Sequence, residues 1–463
     1  MEAGRVGAVV LAAGLSSRFG ATKVLAALGG RPVLQHVLDA VAASGVGETV
    51  VVLGTRADEV EAAIQWRGER RVRNPDPAAG LSSSLRVGID ALSPDVDAAL
   101  IVLGDQPLVR PATIASLLPA LESGDRAAAV PRYDAGGGPN PVLLGRAAWP
   151  LAFEAAGDRG LGPLLRDHPA IVRDVPVAGA NPDVDTPGDL AALAWGERVR
   201  ANREQVDRVR EMPDDADFYA PLTQRFLADP RRTDDPILDQ ILPLTRPEDT
   251  WLDIGAGAGR FALPIALGVR EVIALDPSAG MLGALHEQAA SAGISNVRTV
   301  EARWPPHAGT EAAGIVVDVS LIASVGHDIE EFGAFLDAME AASTRLCVAA
   351  MSERQPSAVA EPFWPPIHGE ERVTLPSLPE LLELLRARGR RVDLTMVEQP
   401  LRGYPDEETL VDFVRRQLWV APGGPKDRRL RELLHADLVV RDGRIGLRGE
   451  SPRRIGVARW EPR

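Results

Sequence analysis

Gly14, Ser16, Arg18 and Lys23 lie close together at the end of an apolar run, Val9-Val10-Leu11-Ala12-Ala13. A glycine- and serine-rich turn after a buried strand presents backbone N–H groups that can wrap phosphate oxygens. Arg18 adds a guanidinium fork and Lys23 a point charge. The spacing is not that of a P-loop. Lys23 is one of two lysines in the chain, the other being Lys426; every other basic side chain among the 51 is arginine. Two further groups complete a possible phosphoryl site. Asp105 ends the apolar stretch Ala98 to Leu103 in Gly104-Asp105-Gln106-Pro107. Asp185, with Asp183 beside it, stands far along the chain in Asp183-Val184-Asp185-Thr186-Pro187. Such carboxylates can hold Mg²⁺, which takes one or two of them together with substrate phosphates, and the ion would neutralise charge as a nucleophile attacks phosphorus. Taken singly, Asp105 is equally a strand-end cap, and Asp185 and Asp189 are equally helix caps.

The second half carries a different constellation. Asp253-Ile254-Gly255-Ala256-Gly257-Ala258-Gly259 joins an apolar strand to a helix, and Asp276 ends the following strand, 21 residues after Gly255. The glycines allow a tight turn and close approach of a ligand, and an acid at that place can grip two ribose hydroxyls. A glycine pattern of this kind also suits a dinucleotide. Asp318, before Ser320, is a further acid that we expect at a strand end. His327 and the stretch Trp364 to Glu371, with His368-Gly369-Glu370, are loop positions that could bind an acceptor or supply a base, although ordinary loop structure is the simpler reading.

The elements that must position these groups follow one grammar twice. In the first half, strands are expected at Ala8 to Ala13, Thr49 to Leu53, Arg71 to Arg73 and Ala98 to Leu103, with helices from Pro32, from Ala57 to Trp66 and after Gly80. Alternation of this kind predicts a mainly parallel sheet, with ligands beyond the carboxyl ends of its strands, where Gly14, Asn74 and Asp105 all fall. In the second half, strands are expected at Thr250 to Ile254, Glu271 to Leu275, Val297 to Val300, Ile315 to Val319, Leu346 to Ala350 and Val392 to Met396. A hairpin turns at Asp442-Gly443, and Ile455 to Trp460 makes a last strand. Phe218 to Leu227 reads as a helix covering the second site. We place domains at 1–197 and 216–463, with a charged helical linker at 198–215.

Composition limits the function. At 463 residues the chain is too long for one ordinary core. Its net charge of −14 argues against broad nucleic-acid binding. The single cysteine, Cys347, allows no disulfide within the chain and fits a reducing, cytoplasmic setting. No apolar run reaches membrane-spanning length, and Glu2 stands where a signal peptide would be basic.

At this level of detail, residues 5 to about 195 resemble the molybdenum cofactor nucleotidyltransferases, the MobA-like NTP transferases. The cytidylyltransferase (MocA/CoxI-like) branch is the better match, because Ala13 stands where the guanylyl branch has glycine and because of the block Gly80-Leu81-Ser82-Ser83-Ser84-Leu85. The resemblance implies Mg²⁺-dependent transfer of CMP from CTP to molybdopterin. It implies that Ala12, Ala13, Gly14, Ser16, Arg18, Lys23 and Asn74 hold the nucleotide, that Leu81 and Ser82 lie near the base, that Asp105 and Asp185 hold metal, and that Lys23, Arg18 and Asp105 are catalytic. Pro139-Asn140-Pro141 departs from the Gly-His-Pro of many relatives. Residues 216–463 resemble class I S-adenosylmethionine-dependent methyltransferases. That likeness implies a methyl donor held by Asp253, Gly255, Gly257, Gly259, Asp276 and Asp318, and Glu301-Ala302-Arg303-Trp304 on the adenine side. The expected fold is two Rossmann-like three-layer α/β/α domains. Other readings are a nucleotidyltransferase for another phosphorylated acceptor, or one non-catalytic half that holds the cofactor for a molybdenum hydroxylase or dehydrogenase.

Overall fold

The computed structural model describes residues 5–462 apart from 15–18, 123, 135, 213–226, 308, 356 and 402. Two compact units divide the chain, 1–190 and 191–463.

The first unit is built on a seven-stranded sheet. Its strands are β1 (Val6–Ala12), β4 (Glu48–Leu53), β5 (Arg70–Arg73), β6 (Ala98–Leu103), β7 (Ala128–Tyr133), β8 (Val142–Gly145) and β9 (Val172–Val177), in the order β5-β4-β1-β6-β8-β7-β9. A two-residue pair, β2 (Ala27–Leu28) and β3 (Arg31–Pro32), lies outside it. The strand β1 is buried along its whole length and pairs in parallel with β4 on one side and β6 on the other. Val, Leu and Ala at both faces, with Gly7 between them, is what a parallel strand covered by helices requires. From β1 the chain winds outward through β4 and β5, then returns to the other flank at β6. The crevice between β1 and β6 is therefore the point where the winding reverses, which is where open α/β sheets bind ligands. The helices Val33–Ala43 and Leu81–Asp90 bury their apolar stripes on opposite faces.

The second unit repeats the plan with β10 (Thr250–Ile254), β11 (Glu271–Asp276), β12 (Val297–Glu301), β13 (Val317–Ala323), β14 (Ser343–Ser352), β15 (Asp393–Gln399) and β18 (Arg453–Trp460), ordered β12-β11-β10-β13-β14-β18-β15. The first five run parallel, and β18 is antiparallel to both neighbours. The reversal here lies between β10 and β13. The predicted hairpin is β16 (Leu438–Arg441) with β17 (Arg444–Leu447), turning on Asp442 and Gly443 at φ of +50° and +72°, as a two-residue turn with both central residues left-handed demands. A separate apolar cluster gathers the helices Trp364–His368, Glu407–Gln417 and Pro425–Asp437 into a cap.

Two expectations are corrected. Of the expected linker 198–215, residues 198–209 continue the helix Pro187–Val209 and group with the second unit. The unit boundary falls after Leu190, inside the helix Pro187–Val209. Trp195 from this helix is buried, stacks on Phe332 at 4.3 Å and donates from Nε1 to Ile329 O. The high charge of the segment misled, since Arg198, Asn202 and Gln205 bind the backbone of residues 371–374 of the same unit. The strand β13 begins and ends later than Ile315 to Val319, which moves Asp318 to the wrong end of the sheet for a donor site. Among the described residues, no helix is long and apolar enough to cross a membrane.

Candidate active sites

At the carboxyl end of β1, Ala12 and Ala13 are buried, and Gly14 emerges into solvent. The backbone of Ala13 passes so close to Gly54 that a Cβ there would stand 2.5 Å from Ala13 O. The short helical turn Lys23–Leu25 brings Lys23 back to Gly14, so that its Cε lies 3.9 Å from where a Gly14 Cβ would be. Ser16 and Arg18 lie outside the described residues.

Lys23 Nζ bridges two carboxylates that sequence separates widely. It pairs with Asp105 and donates to Asp185 Oδ1 at 2.9 Å. Burial works against the ammonium, but Asp105 and Asp185 outweigh it and hold the Lys23 pKa above the ordinary lysine value. A backbone bond from Val184 N to Asp105 O, 2.9 Å, ties the two acidic segments together. Gln106 reinforces the tie, donating from Nε2 to Asp183 Oδ1 at 2.8 Å and accepting from Asn181 Nδ2 at 3.1 Å. Burial, and the charges of Asp105 and Asp185, raise the pKa of Asp183. Thr186 caps the helix that follows, its Oγ1 accepting from Asp189 N, and Asp189 Oδ2 reaches back to accept from Asp185 N and Thr186 N. Asp185 turns its carboxylate to Lys23.

Two expected nucleotide residues serve the loop rather than an open site. Asn74 is buried, and its Nδ2 donates to Ser83 Oγ and Ser84 Oγ while Oδ1 accepts from Asp76 N. With its amide used this way, Asn74 positions the segment that opens the helix Leu81–Asp90. Ser82 is buried as well, its N–H bound to Gly157 O at 3.0 Å. Leu81 does face space. It lines a cavity of about 190 Å³ with Leu11, Leu85, Leu103 and Leu161, and Asn140 is its polar side chain.

In the second unit, Gly255, Gly257 and Gly259 all take positive φ, 76°, 52° and 82°. A Cβ on Gly255 would meet Val325 Cγ2 at 2.5 Å, so the loop is pressed against the end of β13. Asp276 closes it: Oδ2 accepts from Gly257 N and Oδ1 from Ser278 N, both at 2.9 Å. Ala302 N binds Asp276 O, which sets the 301–304 stretch beside this acid, although Trp304 itself packs on Phe335. Asp253 is buried in β10, and its Oδ2 has no hydrogen-bond partner among the described residues. Burial, with the charge of Asp276 adding to it, pushes the Asp253 carboxyl up to about 7. The site thus offers a glycine cradle and an unmet buried acceptor, which fits a cationic ligand with an ammonium.

Asp318 is not part of this site. It is the second residue of β13, and its Oδ2 accepts from Thr250 N at the start of β10, the far end of the sheet. The true end of β13 carries Ser324, Val325 and Gly326, with Ser324 left-handed at φ 59°. Sequence reasoning missed these three; the available signal was the glycine after an apolar run. His327 follows them. Its Nδ1–H donates to Pro376 O at 2.7 Å, and burial lowers its pKa. His368 binds Leu418 O and Trp364 is buried in the cap, so both are structural. Residues 218–226 of the expected covering helix lie outside the described residues.

Residues 8–172 match the model of the MobA-like NTP transferase domain, and residues 252–339 that of a methyltransferase domain. Among curated proteins, the chain is similar to the bifunctional protein GlmU of Bordetella petrii, 38% identical over 120 residues, and to that of Sorangium cellulosum, 34% over 168 residues. These matches cover 25% and 35% of this chain but 26% and 31% of those proteins, so the chain spans a quarter to a third of their length. Among solved structures, Rv0371c of Mycobacterium tuberculosis is 32% identical, with 41% of this chain and 97% of that one covered and a TM-score of 0.37. The YcgJ protein of Bacillus subtilis is 16% identical, with 49% and 98% covered and a TM-score of 0.35.

Proposed function

We propose, from the premise that a nucleotidyltransferase domain is here fused to a methyltransferase domain, that the chain is a bifunctional enzyme whose first unit transfers CMP from CTP to molybdopterin. The observation that carries the phosphoryl chemistry is the Lys23 bridge between Asp105 and Asp185. The backbone of the Gly14 loop would cradle the triphosphate, and Lys23, already charged and poised, would turn from the carboxylates to its oxygens. Asp105 and Asp185 are the residues that would hold Mg²⁺, which when bound supplies charge neutralisation to the phosphates. Gln106 and Asp183 would keep those two carboxylates facing each other. Ala13 and the Gly80–Leu85 block support the cytidylyl reading, and the leucine-lined cavity beside Leu81 suits a nucleobase or a flat acceptor. A molybdenum hydroxylase or dehydrogenase would then receive the product. A second reading, another phosphorylated acceptor, is favoured by Asn140 in place of histidine. Pyrophosphate release from CTP, GTP and UTP, each with purified molybdopterin or a panel of sugar phosphates, tests both. Release with CTP and molybdopterin alone is the expected result.

The second unit would bind S-adenosylmethionine. The glycine cradle would hold its methionine end, Asp276 its ribose hydroxyls, and the ionised Asp253 would favour its positive charge.

A further inference from the structure

A cavity of about 560 Å³ lies in the second unit. Its floor is made where strands end: Ser352 closes β14, Arg453 opens β18, and Gln399 closes β15. Its roof is the cap, which contributes Phe363, Tyr404 and Phe413. Arg260 reaches into it from the glycine loop, held by a buried carboxylate, Asp235, at 2.9 Å. Arg260 immediately follows Gly259, so the cavity begins where the donor loop ends. It extends toward β14, β18 and β15, whereas Asp276 and the 301–304 stretch lie on the other flank, at β11 and β12. The cofactor groups and the cavity thus occupy opposite sides of one loop.

The lining states what fits. Four arginines, Arg260, Arg354, Arg453 and Arg454, are matched by four acids, Glu353, Glu398, Glu450 and Asp437. Arg354 and Arg454 are engaged with Glu361 and Glu353, as Arg260 is with Asp235. A polyanion needs a surplus of unengaged cations, and this lining has balanced charge. Its uncharged surface is mostly aromatic and aliphatic, with Tyr404 and Phe413 rings 5.6 Å apart, and carries the neutral polar side chains of Ser352, Gln355, Gln399 and Ser451. The volume is that of a small-molecule site.

We infer that this cavity is the methyl-acceptor site, and that the acceptor is a small aromatic molecule without net charge rather than a nucleic acid. The inference rests on the methyltransferase reading of the second unit. N-phenyl-1-naphthylamine, a flat neutral fluorophore, is the probe, titrated into the full-length chain with and without S-adenosylhomocysteine. Saturable binding of one equivalent is expected, together with binding of S-adenosylhomocysteine in the same complex. Ser451→Trp fills the exposed mouth and Val359→Arg places a charge against the wall; each should weaken the probe by about tenfold or more, with the thermal unfolding midpoint and S-adenosylmethionine binding unchanged. Unaltered probe affinity in both variants, unsaturable binding, mutual exclusion with S-adenosylhomocysteine, or displacement of the probe by a short oligonucleotide would overturn the assignment. A chain that binds the probe in the cavity but ignores S-adenosylmethionine would instead overturn the methyltransferase reading.

Discussion

The two units place acids at equivalent points, the carboxyl ends of strands beside a winding reversal, and treat their charge in opposite ways. In the first, Asp105 and Asp185 face Lys23 of the same unit. In the second, Asp253 is buried without a cation, among the described residues, and its carboxyl is pushed up to about 7. Under the function proposed above, the difference follows from what each site would receive. A triphosphate arrives negative and needs a resident cation that can change partners. A sulfonium ligand arrives positive and needs an acid that has none.

The comparison breaks most visibly at Asp105. Asp105→Asn should abolish nucleotidyl transfer, a loss of several kcal/mol of transition-state stabilisation, while circular dichroism stays native; near-normal pyrophosphate release with Mg²⁺ and CTP would refute the role. Next is Lys23→Ala, which removes a charge and leaves two carboxylates facing each other. Its kcat/KM for CTP should fall further than that of Arg18→Lys, which keeps a charge; the reverse order would dismiss Lys23 as the resident cation. Third, Trp195→Ala should destabilise the second unit by roughly 3–5 kcal/mol, read in urea, and a fragment of 216–463 should fold poorly where 191–463 folds well. Equal stability of the two fragments would restore the linker.

The smaller effects sharpen the second site. Asp276→Ala should weaken S-adenosylmethionine on the order of tenfold to a hundredfold, roughly 1.5–3 kcal/mol for a lost charged hydrogen bond, in calorimetry with NAD as the control ligand. Asp253 sets a pH test. Its folded pKa lies above its ordinary value of 3.8, so the folded state binds more protons and stability falls as pH rises from about 4 to about 7. Asp253→Asn should therefore raise the unfolding midpoint at pH 8 and leave it unchanged near pH 4. In the native chain, affinity for the cationic ligand should climb through about pH 7; in the variant it should be flat. A pH-independent native affinity would remove Asp253 from the site.

Much of this was legible in the sequence, for physical reasons that also explain the rest. The strands β1, β4, β6, β10 and β11 are mainly apolar runs that lead into glycine or acid, and such runs have few other places to go. The closing pair Lys23 and Asp185 was legible as residue types; the bridge between them needed the β1–β6 crevice. Asn74 misled because a buried amide satisfying two serines looks, in sequence, like one awaiting a ligand. Asp318 misled because an acid inside an apolar run reads as the end of a strand, whereas here it is the second residue of one and accepts from Thr250 N. The segment from 191 misled because charge along a helix hides a single buried tryptophan.

The scarcity of lysine gives the bridge a practical meaning. Apart from the α-amino group, Lys23 and Lys426 are the chain's only amines for acylation. Lys23, held charged by its carboxylates, should react slowly with an N-hydroxysuccinimide ester, and Lys426 serves as an internal reference in the same digest. The ratio of the two labelled peptides, read by mass, therefore becomes a gauge of whether the first site is closed on its own carboxylates, opened, or filled.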